Sequence, residues 1–414
     1  MGLAMQEPID VTCCIAGGGP AGMMAAYLLA RAGADVLVLE KHGDFLRDFR
    51  GDTIHPSTLE VMHELGLLEN FLALPHQEVP VLAVDVGDET FPVADFSHLP
   101  TRCRFIAFLP QWDFLNFLAK QGARFPNFAL RMNSEVTGLV MDGNRVAGVR
   151  VKGAGGVFEV RSQLVIAADG RHSILREKAG LKVETLSAPM DVLWFALSRR
   201  PTESTASIGR FDAARIFIKI NRGEHWQCGF VIPKGTGDAV RRAGLPAFRA
   251  NVAALADVEP GRVEELRDWD QIKLLTVLVD RLTDWSRPGL LCIGDAAHAM
   301  SPVGGVGINL AIQDAVAAAN ILAAPLRLGD VAIEHLKRVQ RRRMWPTRVT
   351  QRLQIFMQDR IVTRVLGTPG AKLSPPFILR LFARFPLLRR IPARLIGMGV
   401  RPEHVTTAEG APRR

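Results

Sequence analysis

The stretch over residues 10–41, DVTCCIAGGGPAGMMAAYLLARAGADVLVLEK, constrains the fold more than any other part of the chain. The apolar run over 11–16 predicts a strand, and three glycines follow it directly. The alanine-rich run over 20–32 predicts a helix, and a second apolar strand ends at Glu40. A strand, a helix and a strand in about 30 residues form a βαβ unit, so we predict an α/β fold with a parallel sheet.

The glycines of this stretch have the spacing Gly17-x-Gly19-x-x-Gly22. Gly17 permits the tight turn, Gly19 lets a pyrophosphate approach the backbone, and Gly22 lets the helix pack on the strand. The N-terminus of the next helix offers free N–H groups to an anion. Glu40 is placed to accept hydrogen bonds from a ribose hydroxyl. These features predict dinucleotide binding, and the alternative is a glycine turn that serves packing alone.

A second signal lies in LVIAADGRHSILREKAG, residues 164–180, where a buried strand runs into Asp169-Gly170. An aspartate at the carboxyl end of such a strand is well placed to meet a sugar hydroxyl or to orient a phosphate. The alternative is a turn in which the side chain only caps the short helix after it.

A third signal is GDAAHAMSPVGGVGINLAIQDA, residues 294–315, where a strand ends in Asp295 and a glycine loop precedes a helix. The loop N–H groups and the helix N-terminus favour negative charge. The N1–C2=O edge of a reduced flavin is anionic, and its flat ring needs backbone without side chains beneath it. We therefore predict that the loop lies under a flavin ring, and the alternative is a glycine-rich hinge.

The distribution of these signals predicts a Rossmann-like domain with an interleaved strand-rich domain. We expect the dinucleotide-binding domain to use 1–75, 105–185 and 282–330. Residues 76–104 and 186–281 would form the substrate domain, and 331–414 a helical C-terminal region.

The charge of the chain is concentrated at its C-terminal end. Residues 331–414 carry 18 Lys and Arg against 4 Asp and Glu, or +14, whereas the remainder carries 33 against 38, or −5. This distribution argues against a nucleic-acid groove across the protein. No apolar run is long enough for a membrane span and no signal peptide is visible, so a cytoplasmic protein is expected. The five scattered cysteines predict neither a disulfide framework nor a metal site.

The three motifs together resemble the single-component FAD-dependent aromatic hydroxylases, the class A flavoprotein monooxygenases. The chain is similar over residues 8–355 to p-hydroxybenzoate hydroxylase and the ubiquinone-biosynthesis hydroxylases. The resemblance implies FAD, NADH or NADPH as co-substrate, and O2. It implies hydroxylation of an aromatic or quinone-like small molecule through a C4a-hydroperoxyflavin. A prenyl-chain reductase, a halogenase and a non-catalytic flavin redox sensor are the alternatives on this scaffold.

The resemblance also assigns roles to residues. Glu40 would bind the adenosine ribose, Arg50 would lie near the pyrophosphate, and Gln111 would lie near the ribityl phosphate. Val136 would lie against the adenine, and Asp295 would contact the ribityl chain. The full set of expected FAD-binding residues is Gly17, Gly19, Pro20, Ala21, Gly22, Glu40, Lys41, Arg50, Gln111, Val136, Asp169, Gly170, Asp295, Pro302, Gly305, Gly307, Ile308 and Asn309.

His55 is the candidate for acid–base chemistry, because a histidine titrates near neutral pH. The alternative is a loop histidine bonded to backbone. We expect His298 to give structural support to the flavin loop. His225 and Trp226 are candidates for the substrate pocket, and a surface or core position is the alternative for both. The single tyrosine, Tyr27, lies in the first helix, so a tyrosine relay is not expected.

Residues 373–401 mix large apolar residues with arginines, and four prolines cut them into short pieces. This segment either contacts an anionic membrane surface or covers the substrate domain with its arginines in solvent. The protein is expected to be a monomer or a homodimer.

Overall fold

The computed structural model describes residues 7–46, 53–203, 208–212, 215–259, 261–366 and 374–410. Its strands, in chain order, are β1 (Ile9–Ala16), β2 (Val36–Leu39), β3 (Thr53–Ile54), β4 (Gln77–Val79), β5 (Val81–Val86), β6 (Glu89–Asp95), β7 (Ile106–Phe108), β8 (Phe128–Arg131), β9 (Glu135–Asp142), β10 (Arg145–Gly153), β11 (Gly156–Ala167), β12 (Val183–Leu186), β13 (Met190–Ser198), β14 (Ile208–Asp212), β15 (Arg215–Asn221), β16 (His225–Pro233), β17 (Lys273–Leu275), β18 (Val279–Leu282), β19 (Ser286–Arg287) and β20 (Leu290–Cys292).

The α-helices are α1 (Pro20–Arg31), α2 (Pro56–Glu64), α3 (Leu68–Leu72), α4 (Gln111–Gly122), α5 (Ile174–Lys178), α6 (Gly237–Arg242), α7 (Leu245–Ala256), α8 (Gly307–Leu328), α9 (Ile333–Met357), α10 (Thr363–Leu366), α11 (Phe377–Arg384) and α12 (Arg390–Gly397). Short 3-10 turns connect several of them.

The larger sheet has the order β19-β20-β11-β1-β2-β8, and β10 and β9 add to it beside β11. Its central strands β20, β11, β1, β2 and β8 are all parallel, as the predicted βαβ unit requires. Helices α1 and α8 pack against each other over this sheet. The structure confirms the α/β fold class expected from the sequence.

The burial of these elements explains their apolar sequences. The second half of β1, Cys13 to Ala16, is inaccessible to solvent, and so is almost all of α1. Strands of a parallel sheet covered on both faces read as continuous apolar runs, since neither face meets water. Cys13, Cys14 and Cys292 therefore serve as small core residues, and burial raises the pKa of the Cys14 thiol to about 12.

The second sheet has the order β17-β13-β16-β15-β14-β5-β6. Along β13, Leu193 and Phe195 point to the face that α7 covers, and Val192 and Trp194 point to the other face. The strands of this sheet come from 81–95 and 190–275, inside the segments expected to form the substrate domain. The domain boundaries themselves remain a prediction.

Helix α8 is the central helix of the molecule. By length and composition, the segment Val303–Leu328 is the one helix in the described residues that is apolar enough to cross a membrane. However, 78% of its most apolar 18-residue stretch is buried within the structure. Burial on nearly all sides explains its apolar sequence.

In the described residues 333–366 and 377–397 the C-terminal region is mostly helical, as the sequence predicts. Pro346 lies inside α9, which continues past it. Residues 401–410 then run back over the larger sheet's helices. Glu403 N donates to the Gln313 side chain in α8, and Gly410 N donates to Arg31 O at the end of α1 over 2.9 Å. The chain end thus ties the helical region to the dinucleotide-binding half.

Candidate active site

The first glycine loop lies between β1 and α1, and each of its glycines is required for a different reason. Gly17 has φ 103°, and a Cβ there would lie 2.3 Å from the Ala168 carbonyl oxygen. A Cβ on Gly22 would lie 2.0 Å from Gly17 O, so α1 could not pack as closely. A Cβ on Gly19 would meet nothing within 4 Å. Gly19 therefore faces open space, which is what a ligand approaching the backbone requires.

Glu40 follows β2 and is 8% exposed. Its carboxylate accepts hydrogen bonds from Gly18 N over 2.9 Å and His42 N over 3.0 Å. The side chain thus fixes the glycine loop to the end of the next strand. Glu40 and Lys41 also line the main cavity, where Pro20 and Ala21 begin α1.

Asp169 follows β11 at the same edge of the sheet. Its Oδ2 accepts a 3.3 Å hydrogen bond from Leu175 N, while its buried Oδ1 has no hydrogen-bond partner among the described residues. Burial raises the pKa of Asp169, and hydrogen bonds from Ser173 and nearby backbone offset part of that rise. A buried acceptor with no protein partner at the cavity wall is suited to a ligand hydroxyl.

Asp295 belongs to a 3-10 turn just after β20 and lines the cavity, as does Gly170. Arg171 approaches it, with 3.9 Å between Nη2 and Oδ2. This ion pair joins the second and third sequence motifs, which the sequence alone did not connect. Both side chains are partly exposed, so the pair contributes little to stability.

A buried network supports the Asp295 turn from behind. Asp314 in α8 accepts hydrogen bonds from Gly294 N at 3.1 Å, His298 Nε2 at 2.6 Å and Arg343 Nε at 3.0 Å. Burial alone would raise the pKa of Asp314, but His298 and Arg343 together hold it below its ordinary value. His298 therefore bonds to the helix rather than lining the cavity, as the expected supporting role requires.

The second glycine loop precedes α8. Gly305 has φ 62°, and a Cβ there would lie 2.4 Å from Thr53 Oγ1, which donates to Gly305 O over 2.9 Å. This contact with the protein itself accounts for the glycine at 305. A Cβ on Gly307 would meet only Met300 Cβ, at 3.9 Å, so Gly307 is the more open position toward the cavity.

Asn309 is 5% exposed and lies behind this loop, outside the cavity lining. Its Oδ1 accepts from His55 N and Thr58 Oγ1, each over 2.8 Å, and its Nδ2 donates to Thr53 O over 3.1 Å. Asn309 thus holds the start of α2 against the start of α8.

His55 is fully buried and does not line the main cavity. Its Nδ1 lies 2.7 Å from Ile396 O, and burial lowers its pKa to about 4, with that hydrogen bond opposing the shift. A neutral ring bonded to backbone matches the alternative stated for this residue, so we assign it no catalytic step. Arg50 lies outside the described residues.

The main cavity has a volume of about 710 Å3 and joins the two sheets. Most of the expected FAD-binding residues line it: Gly17, Gly19, Pro20, Ala21, Glu40, Lys41, Gln111, Val136, Asp169, Gly170, Asp295, Pro302, Gly305, Gly307 and Ile308. Gln111 begins α4 and Val136 lies in β9, so distant segments meet at one surface. Gly22 packs against Gly17 instead.

The second sheet contributes residues that the sequence did not single out. Trp194, Ile220, Leu275 and Gln227 of this sheet line the far end of the cavity, together with Val277 just after β17. The expectation for Trp226 is wrong, because this residue is buried on the opposite face of the sheet with Phe195 and Phe248. Side chains alternate along a strand, so the neighbouring Gln227 takes the cavity position.

The protein matches known flavoproteins over most of its length. Residues 10–352 match the family described as FAD binding domain. The 6-methylpretetramide 4-monooxygenase of Streptomyces rimosus is 32% identical over 384 residues, covering 92% of this chain and 91% of that protein.

Two solved structures share the fold. The p-nitrophenol 4-monooxygenase of Pseudomonas putida DLL-E4 has a TM-score of 0.77 at 21% identity, covering 96% of this chain and 100% of that one. The anhydrotetracycline hydroxylase of Streptomyces rimosus has a TM-score of 0.73 at 24% identity, covering 95% of this chain and 77% of that one.

These matches confirm the expected FAD and reduced nicotinamide, and they favour a monooxygenase over a reductase, a halogenase or a sensor. The cavity fits FAD, since it offers the open backbone at Gly19 and the unpaired oxygen of Asp169. The chain belongs to the single-component FAD-dependent aromatic hydroxylases.

Proposed function

We propose that this monooxygenase hydroxylates a flat, apolar aromatic or quinone-like molecule, with O2 and either NADH or NADPH as co-substrates. The observation that carries the proposal is the single cavity that runs from the Gly17 loop to the second sheet. Its far end is walled by Trp194, Ile220, Leu275 and Val277, which suit an apolar ring. A relative at 32% identity is named for hydroxylation of 6-methylpretetramide, which supports an aromatic substrate.

The residues along the cavity divide into a nucleotide end and a ring end. The α1 N-terminus and Gly19 would receive the pyrophosphate, Glu40 the adenosine ribose and Asp295 the ribityl chain. The start of α8, with Gly307 and Ile308, would lie beside the flavin ring. Bound FAD supplies hydride acceptance and the activation of O2. The protein's part is to bind, orient and exclude water.

The substrate end offers a polar group that can orient a ring. Gln227 is buried, and its Oε1 accepts a 2.9 Å hydrogen bond from Arg222 Nε. Because arginine only donates, this bond fixes the orientation of the amide and leaves its NH2 for a substrate oxygen. Tyr27 takes no part, since it is packed against Phe125 in the core.

The test of the reaction uses the purified holoenzyme with phenols, quinones and fused-ring aromatics. We expect a true substrate to stimulate NADH or NADPH oxidation, with O2 consumed in equal amount and a hydroxylated product formed. Stimulated oxidation without O2 uptake would contradict the proposal and indicate a reductase. Hydrogen peroxide formed in place of hydroxylated product would reject the compound as a substrate.

Gln227→Leu tests the substrate end of the cavity. Removing this orienting amide is expected to raise KM for an oxygen-bearing substrate about 5- to 10-fold, the cost of one hydrogen bond. FAD content should stay unchanged, because the residue lies on the second sheet. Steady-state kinetics with the identified substrate measure the change, and Gln121→Leu at the partly exposed end of α4 is the matched control. An unchanged KM would place the substrate elsewhere.

The location and assembly of the enzyme belong to the same proposal. We place it in the cytoplasm, as a monomer or homodimer. For residues 373–401 we propose peripheral membrane contact, and a covering role over the substrate domain is the alternative. The exposed side chains of this segment favour the membrane contact.

A further inference from the structure

The described part of the C-terminal segment, residues 374–401, exposes an unusual amount of apolar side chain. The exposed fractions are Phe377 78%, Leu387 67%, Ile391 60%, Phe385 54%, Ile378 45% and Leu395 38%. Single exposed apolar residues are ordinary on protein surfaces, but these six lie within 19 consecutive residues. We call them, with the arginines between them, the C-terminal amphipathic surface.

The charges of this surface have one sign. Residues 374–402 contain six arginines and no lysine, aspartate or glutamate. Arg380, Arg384, Arg390 and Arg394 are exposed beside the apolar side chains. Helices with apolar residues and arginines on their open sides are typical of proteins that lie in the plane of a membrane interface.

The surface is packed against the fold. Arg389 Nε donates to Phe382 O over 2.8 Å, which ties the turn before α12 to α11. Ala393 and Met398 are buried against Phe96 and Leu99. Residues 401–410 anchor the following chain on α8 and α1. A preformed face loses little conformational freedom on binding, so its exposed area is effective for docking.

The surface also lies behind the substrate end of the cavity. Ile220 lines that end, and it packs against the same apolar cluster that holds Ala393 and Met398. The apolar cluster beneath the surface therefore reaches the second sheet and not the Gly17 loop.

We propose that the C-terminal amphipathic surface docks the enzyme on an anionic phospholipid bilayer, apolar side chains inserted and arginines at the headgroups. A second copy of the chain is a poorer occupant, because a two-fold interface would face arginines with arginines and supply no acid. An anionic lipid surface matches both the charge and the apolar face. The proposal deepens the membrane contact named under the proposed function, and its vesicle test does not depend on the hydroxylation reaction.

The test is sedimentation of the full-length holoenzyme with vesicles. We expect binding to vesicles of equal parts phosphatidylglycerol and phosphatidylcholine, weaker binding at high salt, and at least tenfold weaker binding to pure phosphatidylcholine. Arg380→Gln with Arg390→Gln should weaken binding about 30-fold, since each arginine at an anionic surface contributes about fivefold. Phe377→Ser with Leu387→Ser should weaken it at least tenfold.

The matched control is Leu328→Ser with Arg161→Gln, which removes one exposed apolar and one exposed basic side chain elsewhere. It should bind vesicles like the unmodified enzyme. The proposal is overturned if the holoenzyme does not bind phosphatidylglycerol vesicles. It is also overturned if the control variant loses as much vesicle binding as the two test variants. A different result would assign the surface to a second copy of the chain. In that case the unmodified enzyme does not bind vesicles, and light scattering shows a dimer that Phe377→Ser with Leu387→Ser abolishes.

Discussion

Replacing Gly19 by alanine is expected to abolish tight FAD binding while leaving the apoprotein folded. The added Cβ meets no protein atom within 4 Å, and φ −75° is allowed for alanine, so folding is unaffected. The same Cβ would stand where we propose that the pyrophosphate approaches the backbone. Losing the hydrogen bonds between the charged pyrophosphate and this backbone should weaken FAD binding about 10- to 100-fold. Flavin absorbance of the purified protein and titration with added FAD measure this.

Gly17→Ala is the contrasting variant. Its φ of 103° and the Ala168 oxygen at 2.3 Å make the substitution costly to the fold itself, by a few kcal/mol. Urea unfolding of both apoproteins separates the effects, because Gly19→Ala should match the unmodified protein and Gly17→Ala should not. A Gly19→Ala protein that retains full flavin would show that the pyrophosphate does not lie at this loop.

Asp314→Ala should destabilise the protein by about 3–5 kcal/mol, the cost of removing one partner from a buried ion pair. The substitution leaves the Arg343 guanidinium, 1% exposed, with Glu403 as its remaining ionic partner among the described residues, beside the Arg401 carbonyl. It also leaves Gly294 N without its acceptor. Urea unfolding at neutral pH measures the loss. Because the folded-state pKa of Asp314 is lowered, its stabilisation is present above the ordinary value of 3.8 and fades as pH falls below it.

The double variant Asp314→Leu with Arg343→Met tests whether the lost stability comes from the buried charge left behind or from the lost hydrogen bonds. Apolar residues of similar size can replace a buried ion pair at little cost, so this variant should recover most of the lost stability. A double variant no more stable than Asp314→Ala would mean that the network acts through hydrogen bonds to Gly294 and His298 rather than through the uncompensated charge.

The cofactor end of the site was predictable because its signals are local. The φ of 103° at Gly17 and the contact of Gly22 with Gly17 O are requirements of backbone geometry within a few residues, although the Ala168 oxygen that also excludes a side chain at Gly17 belongs to a distant strand. The apolar periodicity of the same stretch predicts the strand before such a loop and the helix after it. At Gly305 the sequence predicts backbone left bare for a flavin ring, and that placement stays a prediction. In the structure the contact that excludes a side chain there comes from Thr53, which no local pattern connects to Gly305.

The substrate end was not predictable in the same way. Gln227 and Trp226 are adjacent in sequence, and only the direction of the pleat in β16 decides which one reaches the cavity. A shift of one residue would exchange them. His55 likewise looks reactive in sequence, and only its burial against Ile396 removes it from the cavity wall.

The sequence by itself determined the α/β fold, the use of FAD and the two glycine loops that line the cavity, because glycine spacing and apolar periodicity express backbone requirements over short distances. Only the tertiary structure decided which side chains of the second sheet line the cavity, how Arg171 meets Asp295, and which side of the C-terminal helices is left open. Those outcomes depend on how segments more than a hundred residues apart pack together, and no short pattern encodes such packing.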